Sequence, residues 1–177
     1  MTRSLEHCPV IDDTLQLLDT WYNEPSTGGD RPRLLSKLAT LELCGWLEGE
    51  FDRLALIAES GRLGDIEWVR AKVIKRTSGF AYERHWRPML QMLVGEVFVR
   101  RVEQKLETEA PGELDQLKSR LSVLWDLRCS FAHADMNANI VAQKTFYAPS
   151  WAIEQHKIIS KLLVRYQSEM CSALSAI

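Results

Sequence analysis

The stretch ELDQLKSRLSVLWDLRCSFAHAD, residues 113–135, decides how this chain is read. Leu114, Leu117, Leu121 and Leu124 recur at spacings of three and four, which sets them on one face of an α-helix. The next position in that series is 128, where an aliphatic residue is expected and Arg128 stands instead. A cation on a core-facing stripe is costly unless an anion meets it, and that anion belongs either to this chain or to a ligand. His133 follows in a neighbouring row with Trp125 and Cys129, roughly 140° around the helix axis from Arg128 at about 100° per residue. A straight helix does not easily aim both side chains at one small target. Either the helix bends near Asp135, or a second copy of the chain brings its own pair across a twofold axis, so that each arginine meets the other protomer's histidine. The shared cleft is the preferred reading, and a homodimer is the partner it implies.

Outward from this helix, three-to-four periodicity covers most of the chain and strand alternation is nearly absent. A first helix is expected near residues 10–22, followed by the loop NEPSTGGDRP, dense in turn formers. A long helix comes next, with Leu34, Leu38, Leu41, Cys44, Leu47, Phe51, Leu54 and Ala58 on one face and Gly61 and Gly64 at its end. A short helix is expected from Ile66 to Lys75, and RTSGF breaks it. Pro88 starts or kinks a helix running to about Leu106. In APGELDQL the proline lies near a helix start and acids occupy the first turn, where the helix dipole favours them. DMNANI ends the helix of the opening stretch. An irregular arm then leads to Pro149 and a last helix from about Ser150, with Ile159, Leu162, Tyr166 and Met170 buried. The expected fold class is all-α, a single domain of five or six helices in one bundle spanning residues 1–177.

At 177 residues, with 46% hydrophobic and 26% charged side chains, the chain is long enough for one well-buried domain. Cys8, Cys44, Cys129 and Cys171 show no CxxC and no paired histidine spacing, so they read as reduced thiols in a cytoplasmic protein rather than as a zinc site. No charged-then-apolar leader opens the chain, and Glu48, Glu50 and Asp52 interrupt its longest apolar region; no membrane partner is expected. The net charge of −2 hides an asymmetry: residues 61–105 hold 10 basic and 5 acidic side chains, whereas residues 1–60 hold 5 and 11. Within the basic island, WVRAKVIKR (residues 68–76) carries Arg70, Lys72, Lys75 and Arg76 and no acid, with Phe80, Tyr82 and Trp86 beyond it. Such a segment either tracks a phosphate backbone and stacks bases or forms a solvated helix face. His85 reads as a packing or surface histidine.

Arg128, four intervening residues and His133, late in a helix of an all-α chain, resemble the R-x4-6-H motif of HEPN domains, which occur in prokaryotic toxin–antitoxin, defence and RNA-processing systems. LELCGWLEGEFDRLA resembles the early HEPN helix in which an acidic residue, here Glu48, sits among apolar ones. TFYAPSWAIEQHKIISKLL is similar to the arm and closing helix of the branch that includes the RiboL-PSP-HEPN proteins, and the resemblance covers about residues 30–170. It implies a metal-independent endoribonuclease acting on RNA. Arg128 and His133 are the implied catalytic residues, Glu48, Asp126, Cys129 and Ser130 support them, and an antitoxin or neighbouring-gene protein is a partner. The residue types suit that chemistry independently: a histidine titrating near neutrality takes the proton of a ribose 2′-OH, and an always-protonated arginine stabilises charge on the attacked phosphate. No cofactor and no metal are implied, and His133 with Asp135 is too isolated a pair for a metal site. Cys129 departs from the pattern, because active members carry Asn, Asp or His directly after the arginine. That departure points to the alternative, a catalytically silent HEPN module that dimerises or binds a nucleotide or partner protein through the same residues. A purely structural reading pairs Arg128 with Glu48 or Asp126 and uses His133 to cap the helix C-terminus. A nucleophilic dyad of Cys129 and His133 lacks an accompanying oxyanion-hole motif.

Overall fold

The computed structural model describes residues 9–59, 64–132 and 146–175, and these are mostly helical with no strand among them. Among the described residues seven α-helices are found, against the five or six expected: α1 (Pro9–Tyr22), α2 (Arg31–Glu59), α3 (Ile66–Trp68), α4 (Arg87–Val94), α5 (Glu96–Glu109), α6 (Glu113–Ala132) and α7 (Pro149–Ser175). The all-α expectation holds. The described residues group into two compact units, one from the segments up to Trp46 and from Leu124 to Ile158, the other from Leu47 to Val123 and from Ile159 onward.

In the first unit α1 buries Ile11, Leu15 and Leu18, whose spacing gives one apolar face. The first turns of α2 contribute Leu35, Ala39 and Leu43 to this core, not Leu34 and Leu38, which are 48% and 42% exposed. The expected stripe is therefore off by one position at the start of α2 and joins the observed one only from Cys44 and Leu47 onward. Both rows are apolar and lie about 100° apart on the cylinder, so the sequence offered two faces and packing selected one. Leu124 and Phe131 of α6 and Ala152 of α7 complete the core, and the Cys44 thiol donates to the Leu124 carbonyl at 3.7 Å.

The second unit surrounds three fully buried rings. Phe51 and Trp86 have centroids 4.9 Å apart, and Trp86 meets Tyr166 edge-on at 6.0 Å. Withdrawing a Phe-sized side chain from water is worth about 1.5–3 kcal/mol. Leu114, Leu117 and Leu121 of α6 and Ile159, Leu162, Tyr166 and Met170 of α7 are buried here, as their spacing predicts. A polar network runs from this apolar environment to the surface: the Tyr82 hydroxyl donates to Glu103 at 3.0 Å and lies 3.3 Å from the Tyr166 hydroxyl, and Arg87 bridges Glu103 and Glu96. Burial pushes the Tyr166 phenol up to about 12.

Two local expectations are corrected. The helix expected from Pro88 to about Leu106 is two helices, α4 and α5, separated by Gly95 at φ 82° and ψ 159°. An L-residue adopts that backbone only under strain, so the glycine makes the corner and the helix cannot run through it. The segment expected as a short helix from Ile66 to Lys75 is helical but changes pitch along its length. After α3 comes a π turn, Val69–Val73, and then a 3-10 turn, Ile74–Arg76. The Ile74 amide donates to the carbonyls of both Val69 and Arg70, and the wider turn lets Val69 and Val73 be buried together against α4.

Candidate functional site

On α6, Arg128 lies where the leucine series places it, between fully buried Leu124 and nearly buried Phe131, and its own side chain is half-buried. Its guanidinium carbon sits 5.4 Å from the centroid of the Trp125 ring, one turn back. Attraction between cation and ring face, together with the tryptophan's bulk, narrows the range of the long side chain. Cys129 and Ser130 are half-buried beside it, Cys129 is a free thiol, and Asp126 is exposed. His133 and Asp135 lie outside the described residues.

Two aromatic stacks adjoin this end of α6 in the same unit. Phe131 stacks on Phe146 with centroids 5.2 Å apart and planes 18° apart, and Tyr147 stacks on Trp151 at 4.2 Å and 17°. The first stack anchors the approach to α7 on α6, and the second folds that approach onto the first turn of α7. The pieces of the expected motif region that are described, Arg128 with Trp125 and the approach to the last helix, thus belong to one unit.

Glu48 belongs to the second unit, where it is half-buried on α2. One helical turn further, the Asp52 carboxyl is pushed up from its ordinary value, first by burial and then by the negative charge of Glu48, while Arg70 pulls the other way. Of the expected nucleic-acid residues, Arg70, Lys72, Lys75 and Arg76 are all exposed. Val69 and Val73 hold the segment down from beneath. His85 is half-buried, and its Nδ1 accepts a hydrogen bond from the Ala81 amide at 3.1 Å, closing the start of the π turn Tyr82–Trp86.

The site that sequence reasoning missed joins α1, α2 and α7. His156 is 2% exposed, its Nδ1 lies 2.7 Å from Asp12 Oδ1, and the ring meets Trp46 edge-on at 4.4 Å. A periodic signal was available for the histidine, since Ala152, Gln155, His156, Ile159 and Leu163 form the buried row of α7. Nothing in the spacing pointed to its partner on α1. Among the described residues no group of three His, Cys, Asp or Glu side chains is placed to hold a metal ion, and no helix is long and apolar enough to cross a membrane.

The chain matches no protein-family model, no curated protein and no solved structure.

Proposed function

We propose that the protein is a HEPN-type endoribonuclease that cleaves RNA without a metal, working as a homodimer in a toxin or defence role. The observation that carries this reading is Arg128: a permanently charged guanidinium set in the leucine series of α6, half-exposed and steadied by Trp125. In the proposed reaction His133 removes the 2′-OH proton, the freed oxygen attacks the adjacent phosphorus, and the bond to the 5′-oxygen breaks. The leaving oxygen takes a proton from imidazolium, while Arg128 stabilises the charge that gathers on the phosphate. The products are a 2′,3′-cyclic phosphate and a 5′-hydroxyl. A DNA strand, lacking the 2′-OH, is not a substrate. Asp126 and Ser130 stand two positions to either side of Arg128 on α6.

One observation favours a second reading. Cys129, half-buried directly after the arginine, offers neither the carboxyl nor the amide of active HEPN proteins. In that case Arg128 and His133 form an anion site for a nucleotide or a partner protein without turnover.

Incubation of the purified protein with a mixed RNA pool, with and without EDTA, decides between them. Cleavage that resists EDTA, yields cyclic-phosphate ends and disappears in Arg128→Ala and His133→Ala supports the nuclease. RNA left intact by folded wild-type protein rejects it.

A further inference from the structure

We propose that the exposed ridge from Trp68 to Arg76 is a docking surface for single-stranded RNA, its cations following the phosphates and Trp68 stacking on a base. This rests on the nuclease reading for the choice of ligand and adds a substrate-holding site away from Arg128 in sequence.

The ridge is built rather than frayed. The Asp65 carboxylate accepts the Trp68 amide at 2.8 Å and fixes the start of the segment, and the Thr77 hydroxyl donates to the Val73 carbonyl at 2.7 Å at its end. Between these two points Val69 and Val73 are fully buried and Ile74 half-buried, so the backbone is pinned while Arg70, Lys72, Lys75 and Arg76 are turned outward. Arg70, Lys72, Lys75 and Arg76 are exposed and form no salt bridge among the described residues. Elsewhere many cations have an acid, as Arg53 has Glu50, Arg87 has Glu96 and Glu103, and Lys118 has Glu83. Asp52 offsets part of the charge of Arg70, and the acids Asp65 and Glu67 stand only at the N-terminal end, so Lys72, Lys75 and Arg76 dominate the field of the ridge.

Clustered cations without acidic partners fit a polyanion. A bilayer surface is disfavoured, because a membrane-bound helix needs a continuous apolar face and here that face, Val69 and Val73, is turned into the protein. The apolar groups left outside are Ile66 and Trp68, 52% and 41% exposed, at one end of the ridge. A tryptophan ring beside a row of cations is the arrangement that holds a single strand without reading its sequence.

The test uses the full chain carrying Arg128→Ala, so that bound RNA stays intact, and a fluorescent oligo-uridine read by anisotropy across about 50–200 mM salt. Replacing Lys72, Lys75 and Arg76 together by Gln should weaken binding and reduce the salt slope by about 2, because each phosphate contact to a single strand contributes about 0.7. Trp68→Ala should weaken binding about tenfold with the slope unchanged. Replacing Lys72 and Lys75 by Arg, with Arg76 kept, should instead retain both affinity and slope, because the charge is unchanged. With Arg128 intact, the Gln variant should raise KM for RNA and leave kcat alone. RNA binding with an unaltered salt slope in the Gln variant overturns the proposal. So does the absence of RNA binding, including the case in which the ridge instead carries the protein onto phosphatidylserine vesicles or an acidic protein. Slope-dependent binding by a protein that cleaves nothing would reject the nuclease and leave the ridge standing.

Discussion

Nδ1 of His156 and Oδ1 of Asp12 are 2.7 Å apart, so a hydrogen bond joins α7 to α1 across 144 positions of sequence. The imidazole is all but withdrawn from water, and its ring meets Trp46 on α2 edge to face, so segments of three helices in one unit converge on this contact. Removing one partner of such a pair leaves the other poorly solvated, which costs more than the contact contributes when intact.

His156→Ala is therefore expected to destabilise the protein by about 2–4 kcal/mol, read from urea denaturation. Asp12→Ala in the same background should cost much less than it does alone, because the two residues share one interaction. Strict additivity of the two losses would show that the contact is not formed in solution.

Gly95→Ala should lower stability by about 1–3 kcal/mol, since the corner between α4 and α5 needs φ 82° and an added Cβ meets no atom within 4 Å that could account for the loss sterically. Gly45→Ala and Gly49→Ala make the opposite prediction. Both glycines are exposed within α2, with open space where a Cβ would be, and each should gain about 0.5–1 kcal/mol from helix propensity. Thermal melts of the three variants test the contrast.

Glu96 sets an acid limb on stability. Hydrogen bonds from Arg87 at 2.9 Å, Gln91 at 2.6 Å and Arg100 at 2.6 Å hold its carboxyl down at about 2, against an ordinary 4.5. A depressed folded-state value means that the stabilisation is fully present above pH 4.5 and is lost as pH falls toward about 2. Melting temperatures of wild type and Glu96→Gln should differ above pH 4.5 and converge toward pH 2; parallel curves across that range would contradict the assignment.

For the proposed nuclease, Cys129→Asn supplies the polar side chain that active HEPN proteins carry after the arginine. It should raise cleavage severalfold over wild type if the site is weakened rather than dead. An unchanged rate would mean that Cys129 is not what limits turnover.

The shared cleft makes its own prediction. Light scattering at micromolar concentration should give a dimer, and mixing inactive Arg128→Ala with inactive His133→Ala chains should restore about a quarter of wild-type cleavage, because half the dimers are mixed and each holds one intact site. Mixtures that stay inactive would place both residues of a site in one protomer.

Much of this architecture was legible in advance. The leucine series of α6, the row Ile159, Leu162, Tyr166 and Met170 of α7 and the boundaries of α1 follow from spacing, and the same spacing marks Arg128 as a cation on a buried stripe. The start of α2 was misread because Leu34 and Leu38 are as apolar as Leu35 and Leu43, and periodicity alone does not rank two adjacent rows. Gly95 was visible as a letter but not as a corner, since a glycine within a helical pattern is compatible with both continuation and a break.

By itself the sequence determined the helical class, most of the helix phases and the placement of Arg128 in the apolar series of α6. These depend on covalent geometry, in which each residue turns the helix by about 100° wherever the helix lies. Only the tertiary structure decided which of two apolar rows α2 buries, that the chain turns at Gly95, that the basic ridge rests on Val69 and Val73, and that Asp12 meets His156. Each of those outcomes depends on which distant segment arrives through space to exclude water from one face and not another, and no local period records that choice.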